Sequence, residues 1–511
     1  MNLNSTSLLQ PVAHLFSSAP DTYFSELIKE GIQLAKTNPQ LLEMISNDLD
    51  KRSLEKKRER LEDQAWCNNQ TIPILGMDTS SDEDNILQLS QGRPRMPPLV
   101  VLVFLLLRGY LGGIKKKKTL MTLIESQSLK IFLTNSGCKM PRASTVLDNI
   151  NAVSVKTLEE IHDAQIKLVI MEDLDDFKHL TVDSTSIASN SAWPVDSVLI
   201  MKLVCRIVNL IESLSKHGVS PLKIKDIVNT MINEIKELNK TIQFSTGKKN
   251  SAKKRKKLYN KLYRLARKVR KHLLEAQEKA IKRVDALNVP PSKTKTLNII
   301  LEWIETDLHN LDVVTYHSSK RINEEKQTPS EDKVLSLSDV DAAMISKGQR
   351  EPVLGYKPQI CRSENGIIPA IIVPEGNAND AGQMDAIVDK AIEKTGIIPE
   401  VLSFDDGYAN TKIRNKYLEK NVKIVSFSGS KGKKIIPESE YESEEYKKAR
   451  NNRSAVESLM YTIKHNEDFG EVMRRGLDQA RSESLEKVLV HNFFRIIELR
   501  SRKERSIKKI A

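Results

Sequence analysis

The chain has 511 residues, room for two to four domains at roughly 150 residues each, and its 39% hydrophobic share is ordinary for a globular protein. A formal net charge of +13 favours a polyanionic partner, nucleic acid or an anionic membrane, and a 5% aromatic share argues against base stacking as the main contact mode. The cysteines Cys67, Cys138, Cys205 and Cys361 are widely spaced, with no Cys-x-x-Cys pair, which argues against a disulfide framework or zinc site and fits a reducing cytosol.

The opening MNLNSTSLLQPVAHLF lacks the charged start and long apolar core of a secretion signal, which predicts a cytoplasmic protein. Residues 21–65 read as helices, with EKKRERLEDQ as a solvated face. From Cys67 to Pro98 the chain turns to Asn, Ser, Asp and Pro, the composition of a linker. Leu99 to Leu107 is the most apolar run. It is about half the length needed to cross a bilayer, so it predicts a buried helix and no membrane partner. Next come the lysines Lys115 to Lys118, then LMTLIESQSLKIFL and PRASTVLDNINAV, where Ser144 is a candidate helix cap. This pattern fits a helix-turn-helix that touches DNA, and equally a plain helical bundle.

KHLTVDSTSI, residues 178–187, reads as a strand. Residues 198–314 return to helical periodicity and are strongly basic. In KKNSAKKRKKLYNKLYRLARKVRKH, the residues Lys254, Arg255, Lys256, Arg264 and Arg267 are candidate phosphate contacts. The plainer reading is a solvated face, but so one-signed a run repels itself unless a polyanion screens it. From 333 to 427 strands and helices alternate: KVLSLS, AAMISK, YKPQICR and IIPAIIVP as strands, SENG as a turn, GQMDAIVDKAIEKTG as a helix capped by Gly396, then strands VLSFDDGY and KIVSFSG. A charged stretch, PESEYESEEYKKARNNR, leads into a helical tail. The expected fold class is α/β, a mixed sheet interrupted after its first strand by a basic helical insertion.

Three carboxylates stand out. Asp183 ends the strand HLTVD and Asp405 ends EVLSFD, and functional groups of open α/β sheets gather at the carboxyl ends of strands. Glu457 lies on a predicted helix, sharing one face with Arg453 and Lys464. Singly, each is read as well by a solvated acid or a helix salt bridge. Together they match a chemical need. Phosphodiester cleavage requires an activated attacking oxygen and a stabilised leaving oxygen, which two divalent ions about 3.5–4 Å apart provide. Magnesium takes hard oxygen ligands and few carboxylates. No His/Cys zinc set, phosphate-cradling glycine loop or nucleophile elbow competes.

At these residues the sequence resembles the insertion-sequence DDE transposases. VDSTSIASNSAWPVDSVLI is similar to their first-aspartate block, with Pro194, Asp196, Ser197 and Leu199 as its second half. GYKPQI and PEGNANDAGQM look like their next strand and turn. FDDGYAN matches the second-aspartate motif, and RSAVESLMYTIK matches the Arg-x3-Glu-x6-Lys helix of the Tyr-Arg-Glu-Lys signature. Phe469-Gly470, Gly476-Leu477 and LVHNFFRI fit the tail. The match spans roughly 180–200 and 330–497, and 97–150 resembles the family's amino-terminal helical domain less sharply.

The resemblance implies a ribonuclease-H-like catalytic core over 176–198 and 315–500, a basic helical insertion over 199–314, and a helical DNA-binding region over 1–175. It implies Asp183, Asp405 and Glu457 as catalytic metal ligands for two Mg2+ ions, with Mn2+ as an alternative, and Arg453 and Lys464 on DNA phosphates. The expected partners are double-stranded DNA, at transposon ends and target, and a second copy of the chain. The expected setting is a bacterial cytoplasm, with the protein on the nucleoid when DNA is bound. Two departures are visible: Arg450 stands where the signature has tyrosine, and Asp406 where relatives are often basic. The Gly-Tyr spacing selects Asp405 over Asp406 as the ligand. A DDE-core nuclease that does not join DNA, and a non-catalytic DNA-binding protein derived from a transposase, are the other readings.

Overall fold

A strand buried on both faces must lie inside a sheet, and the segment from His179 is such a strand: Leu180 and Val182 are buried on one side, Thr181 and Asp183 on the other. The computed structural model describes residues 23–67, 95–111, 127–245, 251–326, 328–330, 332–347 and 351–510. It opens with helices α1 (Tyr23–Thr37), α2 (Gln40–Cys67), α3 (Pro98–Tyr110), α4 (Gln127–Asn135), α5 (Ala143–Ile150) and α6 (Val155–Met171). Strands β1 (His179–Ser184) and β2 (Ile187–Ala188) lead to helices α7 (Asp196–Ser213), α8 (Ile224–Gln243), α9 (Ser251–Asp285) and α10 (Pro291–Asn323). Strands β3 (Ala343–Ile345), β4 (Val353–Tyr356), β5 (Gln359–Ser363) and β6 (Ala370–Ile372) precede helix α11 (Asp380–Thr395), strand β7 (Val401–Phe404), helix α12 (Thr411–Glu419) and strand β8 (Ile424–Phe427). The chain closes with α13 (Ser430–Ile435), α14 (Glu438–Tyr441), α15 (Glu444–Asn451), α16 (Arg453–Asn466) and α17 (Leu477–Ile510).

The chain divides into two compact units, one of residues 1–52, 92–191 and 341–511, the other of residues 53–91 and 192–340. In the first, a five-stranded sheet runs in the order β6-β5-β1-β7-β8 and a three-stranded sheet in the order β2-β4-β3. β1 pairs antiparallel with β5 and parallel with β7, and β7 pairs parallel with β8. The class is therefore mixed α/β with an amino-terminal helical region.

The expected separate region over 1–175 is corrected. The helices among its described residues up to residue 52 and from 95 on share one apolar core with the sheet. Helix α3 explains why: Val100 to Leu107 are buried all round, so neighbours must cover every side, and α17 is one of them. Ser144 is not a cap, for Arg142 takes that position without a side-chain bond; Ser154 does cap α6, accepting from Thr157 N at 3.2 Å. Lys115 to Lys118 lie outside the described residues.

The second unit is helical, built on α7 to α10 around its own core of Leu203, Val228, Leu262, Val269, Ile304 and neighbours. Its boundaries differ from the expected 199–314, because α10 runs unbroken through residue 314 and the unit extends to 340. KVLSLS forms no strand; Val334 and Leu337 instead pack against this helical core. In α9 the apolar side, Tyr259, Leu262, Tyr263, Ala266 and Val269, is buried, which leaves Lys254, Lys256, Arg264 and Arg267 exposed and Arg255 half-buried. No helix among the described residues is long and apolar enough to cross a membrane.

The tail motif is a brace. Asn492 accepts from Ile368 N (2.8 Å) and donates to Ile368 O (3.0 Å), and His491 Nε2 donates to the Gly366 carbonyl (3.0 Å), fixing the segment between β5 and β6. One turn earlier, buried Glu486 takes Arg108 from α3 at 2.7 Å and Arg474 at 2.8 Å. Removing one member of a buried ionic set strands the others. Glu486→Leu is expected to lower stability by about 3–5 kcal/mol in denaturant titration, with much of the loss recovered in Arg108→Met/Glu486→Leu. Equal loss in single and double variants would contradict the pairing.

Candidate active site

The register of β1 on β7 creates the site. Val182 pairs with Phe404, so Asp183 and Asp405 follow neighbouring residues at the carboxyl ends of two adjacent parallel strands. Paired strands lie about 4.8 Å apart, so the two carboxylates emerge side by side. Asp183 is buried, and its Oδ1 accepts from Ser184 N at 2.7 Å and from Lys347 Nζ at 2.6 Å. Burial pushes the Asp183 carboxyl above the ordinary range; Lys347 offsets this only in part, and the Asp405 charge adds to it.

Asp405 caps the short turn Asp406–Tyr408, accepting from Asp406 N at 2.6 Å, and its Oδ1 lies 3.5 Å from Arg453 Nη2. Arg453 opens α16, which packs against β1 and buries Val456, Leu459, Met460 and Ile463. The other face presents Glu457, whose Oε1 meets the same Arg453 Nη2 at 3.0 Å and whose side chain is 60% exposed. Arg453 thus joins the second aspartate to the glutamate. Lys464, half-buried two turns on, has its ammonium pushed down by burial and by Lys347, against the pull of Asp183.

Asp406 is employed elsewhere. Its Oδ1 accepts from Lys431 N (2.8 Å) and Gly432 N (2.9 Å) at the start of α13. Gly429 makes this possible: its φ is +106°, and a Cβ there would lie 2.8 Å from the Asp406 carboxyl carbon. The acid beside the candidate ligand is therefore a cap, bonded to the backbone of α13, and Asp405 is the one of the two that meets Arg453. Arg450, in place of the signature tyrosine, lies over the Tyr441 ring, 4.8 Å from its centroid.

Behind the carboxylates is a buried polar network that sequence reasoning missed. Tyr408 donates to Gln359 Oε1, Gln359 Nε2 donates to Asp380 Oδ1 at 3.1 Å, and buried Lys357 pairs with Asp380 at 2.9 Å. Burial alone would raise the Asp380 carboxyl; the bonds from Lys357 and Gln359 outweigh it and hold the group below its usual range. The Gly-Tyr and Gly-Asn-x-x-Asp motifs meet here, so part of their signal is structural. Lys347 was likewise missed, having no local motif.

The donor set suits a hard divalent ion: carboxylate oxygens, already balanced in this structure by Lys347 and Arg453. The three carboxylates do not converge within 4.8 Å; Lys347 bonds Asp183, and Arg453 lies between Asp405 and Glu457. Among the described residues the only acidic or histidine group that close is Glu159, His162 and Asp163. Lys390 and Lys394 pair with its acids, and His162, pushed down to about 3 by burial and Lys394, bonds the Ile368 carbonyl at 2.9 Å.

The phosphate candidates divide between the units: Arg453 and Lys464 lie in the sheet unit with the carboxylates, and Lys254, Arg255, Lys256, Arg264 and Arg267 in the helical unit. Compared with known proteins, the chain matches no family model, and no curated protein or solved structure is detectably similar to it.

Because the Asp183 carboxyl sits above its unfolded range, the stability it contributes is present at low pH and is lost as pH rises through its folded value. The ionised group is thus a burden on the ion-free fold at neutral pH. Asp183→Asn is expected to raise the melting temperature of ion-free protein at pH 7.5 by on the order of 2 °C, a gain that vanishes on acidification. A lower melting temperature in the variant would contradict this.

Proposed function

We propose that the chain is a DDE-type DNA transposase with a ribonuclease-H-like core, cutting DNA at the ends of its element and joining those ends to target DNA. The observation that carries the reading is the apposition of Asp183 and Asp405 at the carboxyl ends of paired parallel strands, with Glu457 tied to Asp405 through Arg453. The mixed five-stranded sheet with the first-aspartate strand at its middle supports the ribonuclease-H-like assignment.

Asp183, Asp405 and Glu457 would hold two divalent ions, magnesium or manganese, which when bound supply charge stabilisation to the attacking and leaving oxygens. The chain's own groups do the rest. Asp183 is fixed by Ser184 N and Asp405 by Asp406 N, so both aspartates are preorganised. Arg453 and Lys464 offer positive charge beside the carboxylates, where a phosphodiester would otherwise be repelled. The exposed row of α9 suits sequence-independent phosphate contact; no carboxylate among the described residues pairs with Lys254, Arg264 or Arg267. Bringing two DNA ends together calls for two copies of the chain, so a homodimer is the assembly we propose.

Magnesium-dependent cleavage of DNA carrying the sequences that flank the encoding gene is expected for wild type and abolished, at least a hundredfold, in Glu457→Gln and Asp405→Asn. Cleavage without joining of precut ends would reduce the proposal to a nuclease. Binding without cleavage by wild type would favour the non-catalytic reading. Separately, Arg264→Ala/Arg267→Ala is expected to weaken DNA binding evenly across sequences and to flatten the slope of log affinity against log salt by about 2. An unchanged slope would remove α9 from the interface.

A further inference from the structure

Lys347 belongs to none of the motifs above, yet its ammonium occupies a carboxylate oxygen of the first aspartate. Nζ donates to Asp183 Oδ1 at 2.6 Å and also to the Ser184 carbonyl. The Lys347 side chain is 25% exposed and that of Asp183 only 9%, so a partly exposed ammonium bonds a buried carboxylate. Lys347 follows β3, the edge strand of the second sheet, and so reaches Asp183 from outside the strands that carry the aspartates.

We propose that Lys347 is a competitor for the metal site, an internal cation that holds Asp183 in the ion-free protein and must leave before a divalent ion can bind. The inference rests on the reading of Asp183 as a metal ligand. A divalent ion held by Asp183 would draw on the carboxylate that Lys347 already bonds. With Lys347 still bonded to it, a doubly charged ion and an ammonium would share one partly buried carboxylate, with Lys464 adding a further positive charge nearby. Exchange relieves this crowding: the divalent ion takes the carboxylate, and Lys347, which reaches Asp183 from past the end of β3, gives it up. In the ion-free state the latch neutralises a carboxylate that burial disfavours. Metal affinity is therefore set by an exchange of one cation for another.

The test is Mn2+ binding to the full chain without DNA, followed by calorimetry and by the electron paramagnetic resonance signal of free Mn2+. Wild type should bind Mn2+ through a site that Asp183→Asn removes. Lys347→Met, which keeps the stem and deletes the charge, should bind about tenfold tighter, Lys347→Gln should do likewise, and Lys347→Arg should stay near wild type. Circular dichroism of each variant reports that the fold is kept. Equal affinity in wild type, Lys347→Met and Lys347→Gln would overturn the latch and leave the metal site standing, and weaker binding in the neutral variants would overturn it in favour of a supporting role. A wild type that binds no Mn2+ through Asp183 would overturn the metal-ligand reading itself, and the latch with it.

Discussion

The constraint on which the site depends is the parallel pairing of β1 with β7. It places two carboxylates side by side at the carboxyl edge of the sheet, one of them buried. Like charges so close oppose each other, and burial disfavours the ionised form of Asp183 further. Everything nearby answers that problem with positive charge. Lys347 bonds Asp183, Arg453 spans Asp405 and Glu457, and Lys464 lies close by. Carboxylates held this close, one of them buried, make a site suited to a cation.

The scaffold holds this arrangement from outside. The α17 brace at His491 and Asn492 fixes the segment between β5 and β6, and Glu486 ties the same helix to α3. Lys357, Asp380, Gln359 and Tyr408 fill the space behind the aspartates with a buried chain of polar contacts. The motifs that carry the resemblance are therefore divided: Asp183, Asp405 and Glu457 stand with the cations, and the Gly-Tyr, Asn-x-x-Asp and His-Asn pieces make structural bonds.

Much of this was legible in the sequence, because strand ends and helix faces are local properties. HLTVD, VLSF and IVSF became β1, β7 and β8, Gly396 closed α11 in the left-handed region, and the basic row of α9 lay opposite its apolar one. What was not legible depends on distant neighbours. Periodicity says which face of a helix is buried but not against what, so α3 gave no hint that it shares a core with the sheet. KVLSLS alternates like a strand, yet it found a helical surface to pack on instead of a sheet edge. Lys347 lies 164 residues from Asp183 in sequence, and no spacing rule reaches that far. Asp406 was ambiguous until the backbone of Lys431 and Gly432 supplied its partners.

The central claim is that Asp183, Asp405 and Glu457 form one divalent-ion site. Its most direct test is iron-directed cleavage: Fe2+ is loaded in place of Mg2+, hydroxyl radicals are generated with peroxide and ascorbate, and the cut positions in the polypeptide are mapped. The account predicts cuts clustered near residues 183, 405 and 457, suppressed by excess Mg2+ and absent in Asp183→Asn/Asp405→Asn. Cuts confined to the neighbourhood of Glu159 and Asp163, or scattered with no response to Mg2+, would contradict it.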